Sequence, residues 1–260
     1  MEVLGYIGAL CIGIILGLTG GGGSILTVPI LVYILLINPI TAAAYSLFIV
    51  GTTSAFGAFQ NSRNGFVDFK NGFLFAVPSF IAVYITRRYL VKLIPDVITE
   101  NPFIITKSAF LMVFFAVIMI FAAISMLQKK KTEVIEQKET SIIHLVIQTF
   151  IIGIVIGLVG AGGGFLIIPS LVLFAKLPMK KAVGTSLFII AMNSLVGFIG
   201  DVQTIAIDWI FLLKFTLFSI AGIFIGIYLN KYVNEVQLKK GFAYFVLIMA
   251  AFILFKEFQM

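Results

Sequence analysis

Residues 13–33 read GIILGLTGGGGSILTVPILVY, an apolar stretch that four consecutive glycines interrupt. The pattern returns 140 residues later as GIVIGLVGAGGGFLIIPSLVL, residues 153–173, with 11 identities in 21 positions. The same ungapped offset aligns polar positions as well, such as Ser54 with Ser194 and Asp68 with Asp208. Chance similarity between two helices rich in Leu and Ile would not keep glycine and polar positions in register. The sequence is therefore an internal duplication.

The composition of the chain is that of a membrane protein. Of 260 residues, 61% are hydrophobic and 11% are charged, and the mean hydropathy is +1.16. Soluble domains are about 45–50% apolar and about 25% charged. The apolar runs are continuous and lack the period of two that a transmembrane barrel requires. We therefore expect an all-α polytopic protein with the lipid bilayer as its partner, and no nucleic-acid partner despite a net charge of +7.

Each half contains five apolar segments in the same order. Residues 1–127 form the first repeat, residues 128–141 form a polar linker, and residues 142–260 form the second repeat. The segments of the first repeat are Val3 to Leu18, Ile25 to Ile37, Thr41 to Phe59, Gly72 to Tyr89 and Phe103 to Leu127. Those of the second repeat are Ile142 to Leu158, Phe165 to Ala175, Ala182 to Ile199, Trp209 to Leu229 and Gly241 to Phe258.

The second segment of each repeat is too short to span a bilayer. Thirteen residues cover roughly 20 Å of a hydrocarbon core about 30 Å thick. The first two segments are therefore either one helix broken at the glycine run or a helical hairpin with its tip inside the membrane. Whether the short segments cross the membrane or are re-entrant stays open at this point.

The distribution of basic residues favours the hairpin. With hairpins, 12 Lys and Arg side chains fall on the cytoplasmic side and 4 fall outside. Equivalent loops also exchange their charge: residues 38–40 carry no basic residue, whereas residues 176–181 carry three. We therefore predict two inverted repeats in the cell (plasma or inner) membrane, with both termini outside and the linker in the cytoplasm. The cluster from Arg87 to Lys92 is the exception, since it falls outside.

The two glycine runs are the strongest candidates for a binding site. Non-helical backbone at membrane depth must be buried in protein or line a wet cavity. A helix N-terminus presents free N–H groups and partial positive charge, and glycines allow a ligand to approach the backbone closely. We expect a paired anion site near the membrane midplane; the alternative is that the glycines only permit tight turns and close packing. The candidate residues are Gly20, Gly21, Gly22, Gly23 and Ser24, with Gly160, Ala161, Gly162, Gly163 and Gly164.

The third segment of each repeat carries a polar stripe. Its residues are Ser46, Thr52, Thr53 and Ser54 in the first repeat, and Thr185, Ser186, Asn193 and Ser194 in the second. Hydroxyl groups in membrane helices often bond their own backbone, which is the structural alternative. Hydroxyl and amide donors that face two helix N-termini would suit an oxyanion. We therefore add Ser46, Ser54, Ser186, Asn193 and Ser194 to the candidate substrate site.

The ionisable residues do not form a catalytic or metal-binding pattern. All eleven Asp and Glu residues fall in loops or at segment ends, and the chain has one histidine, His144, and one cysteine, Cys11. Asp68 and Asp208 precede helices and are expected to act as N-caps. Lys107 and Lys214 can extend to the interface. We therefore expect no enzyme activity, no metal site and no cofactor.

At these residues the sequence resembles the sulfite exporter TauE/SafE family of membrane permeases. The motifs that carry the resemblance are GLTGGGGSILTVP (residues 17–29), GLVGAGGGFLIIP (residues 157–169), the two A-x-x-x-S-L-F-I runs (residues 42–49 and 182–189) and NGFVDF (residues 64–69). The second glycine run departs from the first, with Ala161 in place of Gly21.

The resemblance implies a carrier of small sulfur-containing anions. Its substrate would be sulfite, sulfoacetate or another organosulfonate, or thiosulfate, moved by alternating access. The direction of transport, the coupling and the particular anion are not implied, and a homodimer is compatible with the sequence. The alternatives are an anion channel or a non-transporting structural membrane subunit, and a membrane-embedded enzyme is the weakest of them.

Overall fold

The computed structural model describes residues 2–99, 105–127, 142–159, 163–173, 175, 177–202, 205–232 and 234–259. The helices of the first half are α1 (Glu2–Thr19), α2 (Ser24–Pro29), α3 (Pro39–Arg63), α4 (Phe69–Ile85), α5 (Val91–Leu93) and α6 (Lys107–Leu127). Those of the second half are α7 (Ile142–Val159), α8 (Gly164–Leu173), α9 (Met179–Asp201), α10 (Trp209–Asn230) and α11 (Glu235–Gln259). The predicted linker, residues 128–141, lies outside the described residues.

Two of these helices continue through a π-helical turn. The first turn, Ile30–Ile34, extends α2, and the second, Thr86–Leu90, joins α4 to α5. Within the described residues, four helices are long and apolar enough to cross a membrane: Pro39–Arg63, Phe69–Leu93, Met179–Asp201 and Trp209–Asn230. The prediction of an all-α polytopic membrane protein is confirmed.

Two helices begin four or more residues away from the start of their predicted segments. We expected a continuous helix from Phe103, but α6 begins at Lys107, because Ile105–Thr106 (β2) pairs in an antiparallel ladder with Val97–Thr99 (β1). Lys107 is thus the first residue of the helix, and its backbone N–H donates to the carbonyl of Asp96 at 2.9 Å. In the second half, α11 begins at Glu235, six residues before the predicted segment.

The first glycine run is the tip of a helical hairpin. After the turn, α2 and its π-helical extension run back along α1, so that Gly23 lies against Leu16, Ile30 against Gly8 and Leu35 against Gly5. In the second half Gly163 likewise lies against Ile156 of α7. Residues farther along α2 and its extension contact residues nearer the start of α1. The chain therefore reverses direction at the glycine run and is not one interrupted helix.

The two halves interlock through their first and fourth helices. Gly13 and Gly17 of α1 lie against Gly222 and Gly226 of α10, with backbone on backbone. In the equivalent crossing, Gly153 and Gly157 of α7 lie against Ser79 and Thr86 of α4. Small residues permit this close approach, which packs membrane helices without a hydrophobic driving force. In each crossing the two helices run in the same direction, because the residue numbers of the contacting residues rise together along both helices.

The remaining contacts fix the direction of the other helices. Antiparallel packing of α3 and α9 brings Gly51 to Ser194 and Gly57 to Leu187. Helix α4 runs parallel to α9, and α10 runs parallel to α3. Helices α1, α3 and α10 therefore point one way, and their repeat equivalents α7, α9 and α4 point the other way. Inverted repeats require these directions; the placement of the repeats across a bilayer stays a prediction.

The hydrophobic core belongs to both repeats together. One cluster joins Leu16 and Ala58 of the first half to Leu187 and Ile223 of the second. A larger cluster packs α6 and α11 together and against the α2 hairpin arm. Because such clusters draw on both halves, the repeats are units of sequence that share one core, and their predicted boundaries stay a prediction.

Candidate functional site

The first glycine turn uses several of its own N–H groups internally. The Gly20 N–H donates to the Leu16 carbonyl at 2.8 Å, and the Gly22 N–H donates to the Thr19 hydroxyl at 2.8 Å. The Ser24 N–H and hydroxyl both donate to the Gly21 carbonyl. These three amides therefore already donate to protein acceptors. Fewer backbone N–H groups of this turn are left to bind an anion.

The tips of the two hairpins meet in the interior. A Cβ atom added to Gly21 would lie 2.6 Å from the Gly164 Cα, so the two backbones touch there. Gly20 has a φ of +75°, a left-handed conformation that glycine adopts without strain, and Gly163 has a φ of +66°. The predicted site residues Gly160, Ala161 and Gly162 lie outside the described residues.

A side chain of α9 holds the first turn in place. The Ser186 hydroxyl donates to the Gly20 carbonyl at 2.5 Å and to the Val183 carbonyl at 2.8 Å. A Cβ atom at Gly20 would meet Val183 and the Ser186 oxygen within 3.0 Å. Ser186 was predicted as a substrate ligand, and here it anchors the glycine turn to α9.

The predicted polar stripe is buried where α3 and α9 cross. Ser46, Ser54, Ser186, Asn193 and Ser194 are all fully buried. The hydroxyls of Ser46, Thr53, Ser54 and Ser194 and the amide nitrogen of Asn193 have no hydrogen-bond partner among the described residues. The Asn193 carbonyl oxygen accepts from the Ser79 hydroxyl at 2.9 Å. Buried polar atoms without partners are costly, which makes this crossing a candidate for contact with a polar ligand.

Two equivalent hydrogen bonds tie the stripe to the loops before α4 and α10. The Asp68 N–H donates to the Thr185 hydroxyl at 2.9 Å, and the Asp208 N–H donates to the Tyr45 hydroxyl at 2.7 Å. Tyr45 is the repeat equivalent of Thr185. The predicted N-caps are confirmed, since the Asp68 and Asp208 carboxylates accept from the N–H groups of Asn71 and Phe211, each at 3.0 Å.

A cavity of 160 Å³ opens beside the first hairpin tip. At about 30 Å³ for each water, it has room for roughly five water molecules. The cavity is lined by Gly17, Asn61, Asn64, Phe66, Lys180, Val183, Ile227, Asn230 and Lys231. One lining residue, Val183, also lies against the Gly20 turn. We name the end of the molecule that carries Lys180 and Lys231 the cavity face.

The opposite face carries a buried ion pair that sequence reasoning missed. The Arg87 Nε donates to an Asp201 carboxylate oxygen at 2.6 Å, and the Arg87 Nη2 contacts the same oxygen. Arg87 is 1% exposed and Asp201 is 5% exposed. The sequence places both residues at segment ends, and no pattern in it pairs one with the other. We name the end that carries this pair the ion-pair face.

Among the described residues, no group of three or more His, Cys, Asp or Glu side chains is placed to hold a metal ion. Lys214 is exposed on α10, whereas Lys107 is buried at the start of α6. The side chain of His144 lies outside the described set.

Curated proteins similar to the chain are named as transporters. One is a probable membrane transporter protein of Xylella fastidiosa (strain 9a5c), 23% identical over 81% of this chain and 78% of its own length. Another, the probable membrane transporter protein YunE of Bacillus subtilis, is 24% identical over 82% of this chain and 81% of its own length. The probable membrane transporter protein MJ0441 of Methanocaldococcus jannaschii is 26% identical over 76% of this chain and 70% of its own length. No solved structure matches the chain.

The family comparison covers almost the whole chain. The profile of the family described as Sulfite exporter TauE/SafE matches residues 6–253. The match takes in both glycine runs, both polar stripes and both faces described above. The chain is therefore a multi-pass membrane transporter that belongs to the sulfite exporter TauE/SafE family.

Proposed function

We propose that this protein is a carrier for small sulfur-containing oxyanions in the cell membrane. The substrates are sulfite, thiosulfate or organosulfonates such as sulfoacetate, and the mechanism is alternating access. The family description, Sulfite exporter TauE/SafE, supports a sulfur oxyanion as the substrate class. Both termini lie outside, and the cavity face, which carries Lys180 and Lys231, lies in the cytoplasm in accordance with the positive-inside rule.

The observation that carries the proposal is a cavity lined by basic residues at the start of α9, the helix that also carries part of the buried polar stripe. Lys180 and Lys231 line this 160 Å³ cavity and attract anions. Val183 also lines the cavity and lies against the glycine turn at Gly20. Beyond it, the unpartnered donors of the α3–α9 crossing supply neutral hydrogen bonds for an oxyanion that has shed its water.

The substrate-binding residues that we propose combine the turn and the stripe. Ser54, Asn193 and Ser194 donate to the anion oxygens, and the glycine runs give the anion room to approach the backbone. Ser46 belongs to the same set as the repeat equivalent of Ser186. Because Ser186 and the amides of Gly20, Gly22 and Ser24 have internal partners, their part is to shape the turn.

Direct binding tests the proposal before any transport is measured. Purified protein in detergent is titrated with labelled sulfite, thiosulfate and sulfoacetate, with chloride and acetate as comparison anions. We expect saturable binding of at least one sulfur oxyanion, with competition among the three and a weaker effect of chloride. Equal binding of all five anions, or binding of none, would contradict the substrate class.

A further inference from the structure

The two faces of the molecule can be compared position by position. Adding or subtracting the repeat offset of 140 residues converts cavity residues Gly17, Asn61 and Ile227 into Gly157, Asp201 and Arg87. The structure brings these three equivalents together as well: the Arg87 Nη1 donates to the Gly157 carbonyl at 3.4 Å while its guanidinium pairs with Asp201. The buried ion pair therefore occupies the place on the ion-pair face that the cavity occupies on the cavity face.

The chemistry of the two places is opposite. On the cavity face, Asn61 and Ile227 are uncharged, and the Asn61 amide donates to its own helix at the Gly57 carbonyl, 2.9 Å away. On this face the Asn230 amide donates to the Leu18 carbonyl and joins α10 to α1, and a cavity remains beside this bond. On the ion-pair face, Arg87 joins α4 to the ends of both α7 and α9, so that three helices are fastened by one side chain.

The backbone differs between the two places in the same way. Arg87 lies in the π-helical turn Thr86–Leu90, whereas its equivalent Ile227 lies in the uninterrupted α-helix Trp209–Asn230. Single π-helical turns in long helices occur frequently at functional sites.

The energetics of the pair also favour a functional role. Two buried charges are weak evidence for a role in stability, because the cost of desolvation offsets much of their attraction.

We propose that the Arg87–Asp201 ion pair is the gate that closes the anion pathway on the ion-pair face. This inference rests on the proposed carrier function. In the state described here the cavity face is open and the gate is closed. In the state of opposite access the pair separates, Arg87 and Asp201 face a cavity, and the lining around Gly17, Asn61 and Ile227 closes. The duplicated chain thus carries an ion pair on one face and the uncharged residues Asn61 and Ile227 at the equivalent positions of the other.

The test reads access with thiol labelling, which does not depend on any substrate. The native cysteine is removed by Cys11→Ser, and a single reporter is then introduced. Val183→Cys reports on the cavity, which Val183 lines although it is only 8% exposed, and Ala43→Cys is its repeat equivalent on the ion-pair face, where Ala43 is 5% exposed. A membrane-impermeant maleimide is applied to each side of oriented vesicles, and the labelling rate is measured.

Two reciprocal double variants exchange the gate residues between faces. Arg87→Ile with Asp201→Asn gives the ion-pair face the residues of the cavity face. Asn61→Asp with Ile227→Arg places the ion pair on the cavity face. Both partners change together, because removal of one alone leaves an uncompensated buried charge. Arg87→Lys, which keeps the positive charge, is the matched control.

We expect the unmodified gate to leave Val183→Cys labelled and Ala43→Cys protected. The first double variant should raise the labelling rate of Ala43→Cys roughly fivefold or more, and the second should lower the labelling rate of Val183→Cys by a similar factor. A factor of about five lies at the lower end of typical couplings between two conformations. Arg87→Lys should retain protection. Unchanged protection of Ala43→Cys in the first variant, or unchanged labelling of Val183→Cys in the second, would overturn the gate. If labelling follows expectation but no sulfur oxyanion binds, the gate stands and the substrate class fails.

Discussion

Among single residues, Gly21 has no room for a side chain. Its backbone touches that of Gly164 at the meeting point of the two hairpin tips. We expect Gly21→Ala to lower transport roughly tenfold or more, comparable to displacements of about 1 Å in other sites, while the protein still inserts into the membrane. Radiotracer uptake and surface expression are the two measurements. Gly241→Ala is the matched control, since nothing lies within 4 Å of a Cβ at Gly241.

Replacement of the unpartnered hydroxyls tests whether the polar stripe binds the anion or only packs the helices. We expect Ser54→Ala and Ser194→Ala to weaken anion binding roughly tenfold each, because a hydrogen bond to a charged group contributes about 1.5–3 kcal/mol. Neither change should lower thermal stability, since each removes a buried polar atom without a partner. Binding isotherms and detergent melting curves measure both effects.

Ser79→Ala provides the contrast to these two changes. The single O–H proton of Ser79 is shared between the Asn193 oxygen and two backbone carbonyls of its own helix. Its loss leaves the buried Asn193 oxygen unpaired and should cost about 1–3 kcal/mol of stability. A drop in stability for Ser54→Ala and Ser194→Ala equal to that of Ser79→Ala, without a loss of binding, would reduce the stripe to helix packing.

At the scale of elements, the N-cap of α4 makes stability depend on pH. The backbone N–H of Asn71 donates to the Asp68 carboxylate and holds the pKa of that carboxyl below its usual value. Because the folded pKa is the lower one, the stabilisation is present above the unfolded pKa of about 3.9 and is lost as the pH falls through the folded pKa.

We therefore expect Asp68→Ala to cost about 1 kcal/mol at neutral pH and less in acid. Thermal unfolding in detergent at about pH 7 and about pH 3 measures the difference. Asp68→Asn keeps an oxygen for the cap and loses the charge, so its stability should vary less with pH than that of the unchanged protein. An equal effect of Asp68→Ala at both pH values would show that the carboxylate charge does not stabilise the cap.

The hairpin and the crossings follow from sequence patterns, whereas the site follows from contacts. The glycine run between Thr19 and Ser24 and the short segment after it left a broken helix or a hairpin open, and the distribution of basic residues favoured the hairpin. Small residues such as Gly13 and Gly222 favoured close crossings. These signals can be read without knowing any contact between helices. The bond from Ser186 to Gly20 depends on how α9 packs against the first turn, and no periodicity encodes that contact.

The ion pair shows the same limit in another form. Arg87 and Asp201 stand near the ends of apolar segments, where charged residues are ordinarily solvated. Residues of opposite charge 114 positions apart carry no pairwise signal in one sequence. Their partnership emerges when the repeat offset is applied to the residues that line the cavity, and the cavity itself is known only from the structure.

At the scale of the whole molecule, the lining of the pathway determines how transport responds to pH. Sulfite titrates near neutral pH, and the donors of the α3–α9 crossing are neutral. A second negative charge adds desolvation cost in a low-dielectric cavity, so the monoanion should be the transported form. We expect sulfite transport to fall as the pH rises, while transport of a permanently monoanionic sulfonate stays constant.

Uptake of both anions into the same liposomes from about pH 6 to about pH 8.5 measures this dependence. The sulfonate serves as the internal control, because it does not titrate in this range. The same pH profile for both anions would indicate a titrating protein group, and Asp201, Lys107, Lys214 and His144 would be the residues to replace first.

Counterflow distinguishes a carrier of sulfur oxyanions from a channel. Proteoliposomes are loaded with unlabelled sulfite, thiosulfate or sulfoacetate and diluted into a trace of the same labelled anion. A carrier with alternating access accumulates label transiently above equilibrium, saturates with substrate and loses the activity in Ser194→Ala. We predict this overshoot for at least one of the three anions. Flux without overshoot or saturation would identify a channel. Flux no greater than that of empty liposomes for all three anions would contradict transport of sulfur oxyanions.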